Sequence, residues 1–191
     1  EIERARVQLM LKYPFYAYLA MKLEDVESSD VGTCGVDGKR LFYNPAFIRS
    51  ITKDQVVGVI AHEVLHCALN HMLRQQHRDR CRWNYATDHV INLLIEEDNI
   101  PLPYGCLCDP QYKDKSEEEV YTLLPPPPHG ESCGSGGCEA RPGDGGTLDD
   151  HTVWNHPEED GTPSYDKAQW RDAVVTAATA ARGQGKMPGH L

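Results

Sequence analysis

Apolar residues recur near helical spacing at Ile2, Ala5, Leu9, Tyr13, Tyr16 and Ala20, which predicts a helix over residues 1–24 that Pro14 kinks or divides. The period then shortens. Two β-prone runs, Val31 to Val36 and Arg40 to Tyr43, flank Asp37-Gly38, a dipeptide suited to a tight hairpin turn. A short helix is expected over Ala46 to Ser50. Thr52, followed three residues on by Gln55, has capping-box spacing, so a new helix opens there and is expected to run to about Arg74. Arg74 to Arg82 is polar and aperiodic and reads as a connector. The next helix spans about Trp83 to Glu97 and is closed by Asn99 and Pro101. A second capping-box pattern, Ser116 and Glu119, precedes Val120, Leu123 and Leu124. The last helix covers Tyr165 to Arg182, with Trp170, Val174, Ala177, Ala178 and Ala181 along one side and Gly183 as its stop. The fold class that follows is α+β, mainly helical, with a small hairpin or sheet packed near the helix that starts at Thr52.

Between the last two helices, residues 125–150 turn abruptly rich in Pro, Gly and Ser and read as a long surface loop. A chain of 191 residues suits one domain: a core over 1–124, this loop, and a C-terminal helical segment over 151–191. The balance of 19 Lys+Arg against 29 Asp+Glu, a net charge of -10, argues against nucleic acid or an anionic membrane as partner; a cationic partner or plain solubility fits better. The longest apolar stretches, such as Val56 to Ala61, fall far short of the roughly 20 residues that cross a bilayer. The N-terminus also lacks the basic-then-apolar layout of a signal peptide, so the chain reads as soluble and unexported. Seven cysteines, with Cys34, Cys67 and Cys81 in or beside folded elements where thiols act as small hydrophobes, favour a reducing cytoplasm.

The helix from Thr52 contains AHEVLHCALNH, residues 61–71. His62-Glu63-x-x-His66 places two imidazoles one turn apart on one face, where both can reach one Zn²⁺; Glu63, about 100° around, is placed to address a water on that metal. With 9 His in the chain this short pattern arises by chance at roughly the few-per-cent level, so its context matters. Val59, His62, Leu65, His66 and Leu69 share a face, which buries the histidines among apolar neighbours. His71, nine residues past His62, would lie about 900° around a continuous helix and so on its far side, as a surface or structural residue.

A catalytic zinc takes three protein ligands and leaves one position open. Asp88 is the favoured third ligand, because Asp88, Ile91, Asn92 and Ile95 recur on one face of the following helix and a carboxylate on an apolar stripe needs a partner. His89, Glu96 and Glu97 are its rivals. Asn92, one turn on from Asp88, is placed either to hold the second nitrogen of a ligand histidine or merely to bond locally.

The stretch from Tyr43 to Asn92, which joins H-E-x-x-H to a following W-N-x-A-x-D-x-x-I-N helix, resembles the metallopeptidase domain of bacterial and phage proteins that is often joined to a von Willebrand factor A-like domain. The likeness extends through Pro14-Phe15, TCGVDGKRLFYNP, DDHTVW and GKMPGHL. It implies a zincin-like hydrolase: zinc held by His62, His66 and Asp88, Glu63 as catalytic base, a peptide or protein substrate, and a von Willebrand-like domain or an ATPase as partner. Two departures stand out. Gluzincin-like peptidases generally supply Glu where this chain has Asp88, and the von Willebrand-like domain is absent from a sequence that stops at Leu191.

The resemblance also points to His151, in DDHTVW, as a candidate oxyanion stabiliser, with the tyrosines as rivals and an exposed loop histidine as the plain alternative. Cys133 and Cys138, flanked by His129 and His151, or joined by Cys106 and Cys108, offer a looser second metal set for which flexible loop cysteines are the favoured reading. The other functional class is a zinc-containing interaction or regulatory module without turnover.

Overall fold

Pro14 divides the first predicted helix into α1 (Ile2–Lys12) and α2 (Pro14–Ala20) in the computed structural model, which describes residues 1–125, 148, 150–155 and 164–189. Tyr13, before the proline, is driven out of the helical region to φ -132°, ψ 69°. Pro14 then serves as a first helical residue, where its missing N–H costs nothing. The helix does not reach residue 24 as expected. Glu24–Glu27 instead form strand β1, held to α1 by Arg6, whose guanidinium bonds Asp25 and the Ala20 and Leu23 carbonyls.

The hairpin forms as its turn dipeptide indicates. Strand β2 (Cys34–Val36) pairs antiparallel with β3 (Arg40–Tyr43), and β1 pairs parallel with β3 on the other side, giving the order β1-β3-β2. Asp37 Oδ1 accepts from the Lys39 and Arg40 amides at 2.9 and 2.7 Å, which closes the turn around a fully buried carboxylate. Gly38 sits at φ +95°, and a Cβ there would lie 2.6 Å from the Tyr165 ring, so both backbone and space demand glycine.

Asn44 caps α3 (Pro45–Ser50), and the Thr52–Gln55 capping box is present at the start of α4 (Lys53–Ala68). Every residue of α4 from Val56 to Cys67 is buried, because α1, α2, β2 and two later helices pack around it. A helix apolar nearly all round is a core element. One of those later helices is α6 (Arg80–Glu97), capped by Asp79 and starting three residues before the expected Trp83; the other is α8 (Lys167–Gly183), capped by Asp166. Trp170 of α8 donates its indole N–H to the Gly38 carbonyl at 2.8 Å and so ties the C-terminal helix to the hairpin. α7 (Glu117–Leu123) opens with the Ser116–Glu119 capping box and lies against α6.

Helix α4 ends six residues before the expected Arg74. Asn70 adopts the left-handed conformation, φ 58° and ψ 33°, and the chain turns into a separate short helix α5 (His71–Arg74). Asparagine tolerates that conformation better than other residues with a Cβ, which makes it a usual helix terminator.

Cys34 and Cys67 are buried thiols outside any disulfide, whereas Cys81 is disulfide-bonded and not the small thiol hydrophobe expected of it. Among the described residues no helix is long and apolar enough to cross a membrane. The loop expected over 125–150 lies largely outside the described residues.

Gly58 marks the closest approach in the core, since a Cβ there would stand 2.1 Å from the Pro101 carbonyl oxygen. Helix propensity alone favours alanine over glycine by about 1 kcal/mol. A backbone carbonyl cannot swing aside as a flexible side chain does, and overpacking costs about 1–3 kcal/mol. Gly58→Ala is therefore expected to lower the melting temperature by several degrees in a thermal unfolding scan; an unchanged or raised value would refute this account of the α4–Pro101 contact.

Candidate metal centre

His62 and His66 sit one turn apart on α4, and α6 crosses that helix so that Asp88 meets them; all three side chains are wholly buried. The Nε2 atoms of the histidines are 2.9 Å apart, and Asp88 Oδ1 lies 3.7 Å from His62 Nε2 and 3.6 Å from His66 Nε2. Atoms bound at 2.0–2.2 Å to a tetrahedral ion stand roughly 3.3–3.6 Å from one another, and the observed edges bracket that range. Two imidazoles and one carboxylate are borderline-to-hard donors of the kind divalent cations take.

The rival third ligands turn elsewhere. His89 accepts from the Asp109 amide at 3.2 Å and stacks near Tyr112, Glu96 receives the Cys108 thiol, and Glu97 pairs with Lys113. Among the described residues no other group of three ligand-type side chains converges in this way. Glu63 is also wholly buried, next to His62 on α4. Burial, then the negative charges of Glu63 and Asp37, push the Cys67 thiol well above its ordinary value, so it stays protonated.

Around these three side chains lies a ring of hydrogen bonds. Asn92 Oδ1 is 2.8 Å from His62 Nδ1, and its amide nitrogen donates to the Leu107 carbonyl at 2.9 Å, so this side chain joins His62 to the segment after α6. Asp88 Oδ2 accepts from the Leu148 amide at 3.1 Å. Trp154, from a 3-10 turn at His151–Asn155 that packs on β2, sets its ring 5.4 Å from that of His66. The DDHTVW segment therefore reaches the centre through Trp154, and Leu148, the residue before that segment, reaches it through its amide. The His151 side chain lies outside the described residues.

His71 is neither exposed nor on a far face. The left-handed turn at Asn70 folds it back, wholly buried, with Nδ1 3.0 Å from His66 Nδ1 and Nε2 2.9 Å from Glu117 Oε1. Arg74 holds the other Glu117 oxygen and also Glu118. Burial pushes His71 below the ordinary imidazole value, against the pull of Glu117. Burial would raise Glu117, but the bonds from His71 and Arg74 outweigh it and bring the carboxyl down to about 2. Nothing in the helical phase of residues 61–71 indicated this, though Asn70 itself was a visible stop signal.

Cys106 and Cys108 are half-buried free thiols, pushed up by burial to about 11 and about 12, and remain protonated at neutral pH. The other candidates for a second metal set, His129, Cys133 and Cys138, lie outside the described residues.

Residues 1–191 match the family described as "Putative metallopeptidase domain". The chain belongs to this metallopeptidase-domain family. No curated protein and no solved structure matches it. Membership implies a metal, and the buried His62–His66–Asp88 group of this metallopeptidase domain has the donors to hold one.

Proposed function

We propose that this domain is a zinc-dependent peptidase, with His62, His66 and Asp88 as ligands and Glu63 as general base. The observation that carries the reading is the convergence of three buried ligand atoms, two of them on the helix turn that also bears Glu63. Two imidazoles and one carboxylate suit zinc and leave one position of its tetrahedron open. Zinc bound there acidifies a water and polarises the carbonyl of a peptide. Glu63 takes the proton as the water oxygen attacks the carbonyl carbon, and delivers it to the amide nitrogen as the C–N bond breaks, leaving a carboxylic acid and an amine. Asn92 supports the reading because its Oδ1 takes the Nδ1 proton of His62 and leaves Nε2 as the donor atom.

Elemental analysis and a broad peptide-library assay test this together. One zinc per chain is expected, with cleavage that stops on chelation and returns with zinc. Protein without stoichiometric metal sinks the proposal. Full zinc with no cleavage of any peptide moves the domain to the interaction or regulatory class.

A further inference from the structure

The geometry points to Glu117 as a positioning residue that selects, through His71, the imidazole tautomer in which His66 can bind a metal; this rests on the metal reading of the centre. His66 Nε2 faces the His62 and Asp88 donor atoms at 2.9 and 3.6 Å, so it must keep its lone pair to bind a cation. A neutral imidazole carries one proton, which then sits on Nδ1. That atom is 3.0 Å from His71 Nδ1, a distance that requires one proton between the two nitrogens. With the proton on His66, His71 Nδ1 is the acceptor and its own proton is on Nε2, where Glu117 Oε1 waits 2.9 Å away.

The opposite arrangement places a proton on His71 Nδ1, donates it to His66 Nδ1 and leaves the His66 proton on Nε2, in the space the metal needs. What separates the two is the far end of the chain. A bare His71 Nε2 would then face the Glu117 carboxylate lone pair to lone pair at 2.9 Å, with both residues buried from bulk solvent. Arg74, bonded to the second oxygen, keeps Glu117 an acceptor. The ionised carboxylate thus fixes both protons from two side chains away and strengthens His66 Nε2 as a donor.

Glutamine at position 117 reverses the logic, because its amide group can donate to His71 Nε2 and so favour the wrong tautomer. Glu118 supplies the control, since it binds Arg74 but does not touch His71. In Zn²⁺-loaded protein labelled with ¹⁵N-histidine, where the cation takes the place between the two Nε2 atoms, two-bond nitrogen–proton correlations are expected to show the proton on Nδ1 of His66 and on Nε2 of His71; a proton on Nδ1 of His71 overturns the proposal, whether or not any variant folds. Competition with a chromophoric chelator is expected to give equal Zn²⁺ affinity for wild type and Glu118→Gln, and an affinity roughly 10- to 100-fold weaker for Glu117→Gln. Equal affinity in all three overturns the selecting role. A wild type with no Zn²⁺ affinity would instead discard the metal centre, and with it the purpose of this hydrogen-bonded relay.

Discussion

Glu63→Gln is expected to cut peptide cleavage by about 10²- to 10⁴-fold while the protein keeps one zinc per chain. Glutamine matches glutamate in shape but cannot accept the proton of the attacking water. The side chain is wholly buried, and the isosteric replacement leaves no cavity. The variant is accordingly expected to stay folded, with a cooperative thermal transition. Steady-state cleavage, elemental analysis and a thermal scan on one preparation decide the matter. Undiminished turnover rules Glu63 out as base, and loss of zinc along with turnover assigns it to holding the centre.

Asp88→Asn is expected to abolish stoichiometric zinc and all cleavage. The amide oxygen retains the bond from the Leu148 amide, so its NH₂ group is turned toward the two Nε2 atoms, presenting hydrogens where a ligand lone pair is required. Shape is preserved and charge is lost, which separates ligation from packing. Zinc at 100 times its dissociation constant stabilises a folded state by about 2.7 kcal/mol. For a domain of this size that corresponds to roughly 5–11 °C of melting temperature. Wild type is expected to show this rise on adding zinc and Asp88→Asn to show none; an equal rise in both would remove Asp88 from the ligand set.

Much of this could be read before folding because it is local. Both capping boxes, Thr52–Gln55 and Ser116–Glu119, rest on a side chain and an amide three residues apart. The Asp37-Gly38 turn needs only its own φ and its neighbours' amides. His62, Glu63, His66, Asp88 and Asn92 were also legible, since helical period places each on a face and burial of an ionisable group demands a partner.

The misreadings share a cause. Strand β1 is four residues of mostly acidic sequence with no β-prone pattern, and it exists because β3 supplies a parallel edge from sixteen residues along the chain. The end of α4 turned on Asn70, whose left-handed φ could have been suspected, but where the next residue would then point could not.

The sequence by itself determined an α+β chain with a histidine pair and a glutamate on one buried helix and an acidic residue on another, because period and capping act over a few residues. Only the tertiary structure decided that Asp88 is the carboxylate that meets the pair, that Leu148 and Trp154 come in from the C-terminal side, and that His71 turns back to join His66 to Glu117. Those contacts join residues as far as 88 positions apart, between His66 and Trp154. Helical phase carries no information about such distances once a left-handed residue or a loop has broken it.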